Sequence, residues 1–214
     1  MKIIQGQGVS KGIEQGTIYF YHRAAAQVEM RTGADEQEER ARLERAKERT
    51  AQQLSDMAEK AREEAGDEAA VLFETHAMFL EDEDYTGAMD ELLAQGFNAE
   101  YAVDQAGQEF AAMLASMDDP YMQARAADIK DVTGRILNNL MGVVEGGIDS
   151  DVPVILCADD LAPSETIQLD KKKILAIATQ KGSGNSHTAI LARTMGIPAV
   201  CGLGEDFNED FHGK

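Results

Sequence analysis

His187 lies within Gly182-Ser183-Gly184-Asn185-Ser186-His187-Thr188-Ala189-Ile190-Leu191-Ala192-Arg193, where glycines and small polar residues lead into an apolar run. The stretch before it, Ile174–Thr179, is short, apolar and rich in Ile, and reads as a buried strand. Gly182 and Gly184 break that strand and let the backbone turn tightly. Ser186 reads as a helix N-cap and Thr188–Met195 as a short helix with Ile190, Leu191 and Met195 inward. Gly196 stops the helix, and Ile197–Cys201 resumes as a strand. His187 then stands on the first turn of a helix, where backbone N–H groups and the helix dipole favour an anion. An imidazole placed there can be a nucleophile whose product is an anion, and a phosphohistidine meets that description. Ser186, Thr188 and the backbone N–H groups between Gly184 and Thr188 could bind phosphate oxygens. Arg193, more than one helical turn further on, could pair with a phosphate or with a carboxylate.

Rival chemistries find less support. No His and Cys pair has zinc-ligand spacing, and Gly-x-Ser-x-Gly is absent. Cys157 and Cys201 end apolar runs and read as buried thiols in a reducing, cytoplasmic setting. The expected metal count is therefore none.

The elements that must position His187 differ along the chain. Lys2–Gln7 and Gly16–Tyr21 read as two short strands joined by glycine-containing turns. From Ala34 to about Leu140 the sequence is rich in Ala, Glu, Gln, Met and Leu, and reads as helices. The first, Asp35–Ala65, is charged, with a thin apolar stripe of Leu43, Ala46, Thr50, Leu54, Met57 or Ala58, and Ala61. A second opens near Asp67 and a third ends at Gly96. Asn98 caps a fourth, and Asp118-Asp119-Pro120 opens a fifth. After Gly142, Gly146 and Gly147 the pattern returns to α/β, with Val152–Cys157 as a strand and Ser164 as a cap. The expected architecture is an α/β domain formed by 1–22 and 143–214, interrupted by an all-α subdomain of two helical hairpins at 23–142.

Charge narrows the partners. Lys and Arg number 20 against 39 Asp and Glu, for a net charge of −19. Such a surface disfavours nucleic acid and anionic membrane and suits a basic protein. No apolar run is long enough to span a membrane, and Met1-Lys2-Ile3-Ile4 does not read as a signal peptide. Between Glu63 and Ala124 there are 16 acidic residues and no Lys or Arg. This is either a solvated acidic surface or a docking face. Met78-Phe79-Leu80 beside Glu81–Asp84 favours docking, because one helix face cannot bury three consecutive large apolar residues.

The Gly-x-x-x-Ser-His-x-x-Ile-x-Ala-Arg run from Gly182 to Arg193 resembles the phosphohistidine segment of phosphoenolpyruvate-utilising enzymes. Within that family three further stretches are similar to the Enzyme I group of the bacterial sugar phosphotransferase system. They are Phe73-Glu74-Thr75-His76-Ala77-Met78-Phe79-Leu80-Glu81-Asp82, Arg125-Ala126-Ala127-Asp128-Ile129-Lys130-Asp131 and Leu161-Ala162-Pro163-Ser164-Glu165-Thr166. The resemblance implies a swivelling-type α/β phosphohistidine domain whose helical insertion binds the carrier protein HPr. It implies that His187 takes phosphate on Nε2 and passes it reversibly to a histidine of HPr, with Thr166 positioning His187. It places Met78, Phe79, Leu80 and Glu83 in the docking surface, with Glu68, His76, Met122 and Arg125 as further candidates. His76 is open between interface and plain helix surface.

The same resemblance implies that the chain holds no cofactor itself. Phosphoenolpyruvate and Mg2+ would sit on a C-terminal barrel domain that is not in this sequence, which reads as an excised fragment. That barrel would make the full protein a homodimer and leave this piece a monomer. Other readings are the Enzyme I-like part of a dihydroxyacetone kinase phosphocarrier, or a non-catalytic HPr-binding module. One departure concerns the loop. The family has two adjacent glycines and a threonine before Ser-His, where this chain has Gly182-Ser183 and Asn185. Ser183 is expected to restrict any conformation needing positive φ.

Overall fold

The structure, a computed structural model, describes residues 3–22, 27–143, 148, 150–184 and 186–214. Asn185, Gly146, Gly147 and the proposed domain boundary at 23 lie outside the described residues. The chain divides into two compact units, one of 1–24, 61–69 and 146–214, the other of 25–60 and 70–145. The division differs from the composition-based one in grouping 61–69, around Gly66, with the α/β elements.

The α/β unit is a five-stranded sheet. Its strands are β1 (Gln7–Ser10), β2 (Thr17–Phe20), β3 (Val154–Ala158), β4 (Ile174–Thr179) and β5 (Ala199–Cys201), in the order β1-β5-β4-β3-β2. Strands β2 to β5 run parallel, and β1 is antiparallel to β5. Central parallel strands are covered on both faces, which is why β3 and β4 are near-continuous apolar runs. Phe20, Cys157, Ala178 and Phe207 form one cluster, with Ile4 and Phe211 packed against it. Burial there pushes the Cys157 thiol up to about 12.

The first strand falls later than the sequence suggested. Ile3 and Ile4 precede it, and Gly8, just past the anticipated strand end, pairs with Val200 inside it. Ladder pairing with β5 decided this, since Ile4 is used as a plug against the cluster and not as a strand residue. Ser164 is likewise not a cap. Helix α6 (Pro163–Gln168) starts from Ala162, whose N–H is accepted by Glu165 Oε2 at 2.6 Å, and Ser164 is buried within it.

The second unit is helical, built from α1 (Glu36–Ala65) up to residue 60, α2 (Asp67–Phe79) from residue 70, α3 (Glu83–Ala94), α4 (Ala99–Ala115) and α5 (Pro120–Met141). Asp35 Oδ1 accepts the Glu38 N–H at the start of α1, and every residue of the anticipated α1 stripe is buried. Helix α4 packs along both α3 and α5. Asp119 caps α5 by accepting the Tyr121 N–H, with Pro120 in its first turn.

Asn98 precedes α4, but its side chain caps nothing. Its Oδ1 accepts the Arg31 N–H at 2.8 Å and its Nδ2 donates to Glu29 O and Glu100. The α4 N-terminus is served instead by Glu39 of α1, whose Oε2 accepts the Ala99 N–H at 2.7 Å. Arg42 donates to both Glu39 and Glu100, joining α1 to α4.

The buried Tyr85 hydroxyl meets Thr133 Oγ1 at 2.7 Å. Thr133 already donates to Ile129 O, so Tyr85 is the donor. Tyr85→Phe should therefore cost about 1 kcal/mol with little change in packing. A urea melt with an unshifted midpoint would show that the bond contributes nothing.

Candidate functional site

Strand β4 ends at Thr179, and backbone pairing continues as the Gln180 and Lys181 N–H groups donate to Ala158 O and Asp159 O. Gly182 then turns the chain with φ +96°, a conformation that a Cβ would strain. Among the described residues no non-glycine residue has positive φ, so Ser183 occupies the second loop position without that strain. The Ser183 carbonyl instead accepts two bonds, from Ser186 N–H at 3.1 Å and Ser186 Oγ at 2.9 Å. The Ser186 Oγ in turn accepts the Ala189 N–H at 3.2 Å, capping helix α7 (His187–Met195).

His187 is the first residue of α7 and is half-buried. The helix packs on β1, β5 and α6, with Ala189, Leu191, Ala192 and Met195 buried. Ile190 is not inward: it is 43% exposed, three residues from His187. A helix this short buries one narrow stripe, and Leu191 and Met195 define it. Gly196, in the left-handed conformation, ends the helix.

Several expected phosphate ligands are engaged elsewhere. Thr188 is buried and its hydroxyl donates to Leu161 O at 2.7 Å, tying the first turn of α7 to the segment before α6. That hydroxyl cannot also reach out to a phosphate. The Gly184 N–H donates to Gln7 Oε1, and Arg193 Nη1 donates to Val9 O and Gly184 O. Thr166 is fully buried in α6, its hydroxyl donating to Ala162 O at 3.0 Å. An oxygen that has donated its proton still has lone pairs to accept one.

The helical candidates separate by exposure. Met78 is 70% exposed, and Glu68 and Glu83 are exposed too. Phe79 and Leu80 are buried, contrary to the expectation that the triplet had to project. Helix α2 ends at Phe79, so Leu80 leaves the helical direction and folds inward, and the one-face limit does not apply. His76 is a correction as well, because it is completely buried and cannot be a surface contact. Its Nε2 lies 3.3 Å from Asp128 and its Nδ1 3.9 Å from Asp131, both on α5. Met122 and Arg125 are half-buried, with the Arg125 guanidinium 5.8 Å from the Phe79 ring centre and 4.8 Å from that of Tyr121.

Val71 and Tyr121, 55% and 60% exposed, were not anticipated. Val71 precedes Met78 by two helical turns on the same side, a spacing visible in the sequence once Met78 is taken as outward. Among the described residues no group of three or more His, Cys, Asp and Glu side chains is arranged to hold a metal ion. Nor is any helix long and apolar enough to cross a membrane.

Comparisons with known proteins cover both units. Residues 5–125 match the model of the PEP-utilising enzyme N-terminal family, and 151–213 match that of the PEP-utilising enzyme mobile domain. The phosphoenolpyruvate-protein phosphotransferase of Priestia megaterium is 39% identical over 94% of this chain and 35% of the relative. That of Bacillus subtilis (strain 168) is 35% identical over 94% of this chain and 36% of the relative. The chain thus spans about a third of the length of the curated relatives it matches. A solution structure of Enzyme I superposes with a TM-score of 0.76 at 34% identity, over 95% of this chain and 84% of that one. The N-terminal domain of the nitrogen Enzyme I gives 0.69 at 25% identity, over 99% and 87%.

Proposed function

The chain belongs to the PEP-utilising enzyme family, in its Enzyme I branch, and from that membership we propose that it carries a phosphoryl group on His187 and exchanges it with the carrier HPr. The carrying observation is the position of His187 as first residue of α7, behind the Ser186 cap. There the helix N-terminus stabilises the added negative charge within a turn of the imidazole. The α/β unit is read as the phosphohistidine domain, of swivelling type.

Phosphoryl transfer requires an in-line nucleophile and charge stabilisation more than covalent help. Nε2 of a neutral His187 attacks the phosphorus of phospho-HPr, and the carrier's N–P bond breaks as the new one forms. One N–P bond replaces another, so the step is reversible. The neutral tautomer must carry its proton on Nδ1. Thr166 suits the task of holding that proton, since its own hydrogen is committed to Ala162 O and its oxygen remains an acceptor. The N–H groups that open α7 are the remaining phosphate donors, since the Ser186 hydroxyl gives its proton to Ser183 O. The Thr188 side chain and Arg193 are assigned to support.

HPr docking is assigned to the exposed side of α2 and its surroundings, with Met78, Val71 and Tyr121 as apolar contacts and Glu68 and Glu83 as acidic ones. Met122 and Arg125 lie at its border, and Phe79 and Leu80 support it from beneath. Phosphoenolpyruvate and Mg2+ are assigned to the additional chain of the longer relatives.

Incubation with HPr phosphorylated beforehand should place one acid-labile phosphoryl group on each chain. Phosphoenolpyruvate alone should place none. HPr binding without any phosphoryl uptake would overturn the proposal and leave a docking module.

A further inference from the structure

Gly184, three residues before His187, has both of its backbone groups held by side chains. Its N–H donates to Gln7 Oε1 at 3.3 Å, and its carbonyl accepts from Arg193 Nη1 at 2.9 Å. Gln7 opens β1, and Arg193 lies in the last turn of α7. The same Arg193 nitrogen also donates to Val9 O at 3.1 Å. That acceptor exists for a structural reason. Gly8 pairs with Val200 and Ser10 with Ala199, so the register of β1 against β5 breaks at Val9. A bulged residue leaves the ladder and its carbonyl is re-aimed, here toward Arg193. Close fit is part of the arrangement, since a Cβ on Gly184 would lie 3.2 Å from Gln7 Nε2.

We infer that Gln7 and Arg193 are positioning residues for His187: they staple the loop at Gly184 to the bulged edge strand and to the end of α7. The loop is thereby held from both sides, and the first turn of α7 presents the imidazole in one orientation. This assigns Arg193 to backbone carbonyls in place of phosphate. It also adds Gln7, remote in sequence, to the site. The inference rests on the reading of His187 as the phosphoryl acceptor, and its test separates the two.

Three versions are compared: the wild type, Gln7→Met, which keeps side-chain length without the acceptor, and Gln7→Glu, which keeps an acceptor oxygen. Gly184 amide exchange should be slow in the wild type and in Gln7→Glu, and fast in Gln7→Met. The His187 imidazole 15N signals should show one tautomer in the wild type and broaden in Gln7→Met. Single-turnover uptake from phospho-HPr should slow about tenfold in Gln7→Met, with half-saturation by HPr unchanged. Arg193→Met, which loses both carbonyls, should slow it further. Unchanged exchange, unchanged imidazole signals or an unchanged rate in Gln7→Met would each overturn the staple. Absence of phosphoryl uptake by the wild type would instead sink the reading of His187, while exchange and imidazole signals would still decide on the staple.

Discussion

His187→Ala should abolish phosphoryl uptake from phospho-HPr while leaving the chain folded. The fold should survive because the half-buried imidazole opens a helix whose cap, Ser186, and buried stripe remain. Alanine is also the better helix former, so the change in stability should stay within about 0.5 kcal/mol. The loss of uptake should be complete because no other described histidine can substitute. His76 is fully buried, His212 Nδ1 accepts the Phe20 N–H at 3.1 Å, and His22 sits 3.4 Å from Glu209 in the far corner of the sheet beside Phe20. Mass measurement of the intact chain after incubation with phospho-HPr reads the outcome. A phosphoryl group retained by His187→Ala would remove His187 from the mechanism.

The second large effect is on stability toward acid. Burial alone would raise the Glu100 pKa, but hydrogen bonds from Arg42 and Asn98 outweigh it and hold it at about 2, against an ordinary 4.5. A carboxylate whose folded pKa lies below its unfolded value contributes stability in full above the unfolded one. That contribution is lost as pH falls through 4.5 and is gone below about 2. Allowing for solvent screening, it amounts to roughly 2–3 kcal/mol, a large part of the ~5–15 kcal/mol that holds a typical domain. Glu100→Gln should lower stability by that amount at neutral pH, since Arg42 keeps only Glu39. With 39 acidic residues in the chain, the informative quantity is the difference between wild type and variant. That difference in urea midpoint should stay constant above 4.5 and shrink as pH falls from 4.5 toward about 2. A difference constant across the range would show that the Arg42–Glu100 pair does not couple folding to protons.

Much of this was legible in the residues because it depends on local chemistry. Ser186 caps, Gly196 stops and Ile174–Thr179 pairs as a strand because short-range backbone preferences act there without competition. The α1 stripe was readable for the same reason, as a 30-residue helix repeats its period many times. Misreadings arose where a distant partner overrode the local signal. Glu39 displaced Asn98 as the cap of α4, and β5 chose Gln7–Ser10 over the more apolar residues before it.

The sequence by itself determined that a histidine stands at a helix N-terminus behind a glycine-bearing loop, and that the helical stretch from Glu63 to Ala124 is acidic. Spacing and composition carry that information. Only the tertiary structure decided which side chains are available. It turned the Thr188 hydroxyl inward to Leu161, buried His76 against α5, and left Met78 outward while Phe79 and Leu80 folded in. It also brought Gln7 to Gly184. Such choices follow from which elements meet across the fold, and hydrogen bonds and burial between residues far apart in the chain have no signature in the spacing of either one.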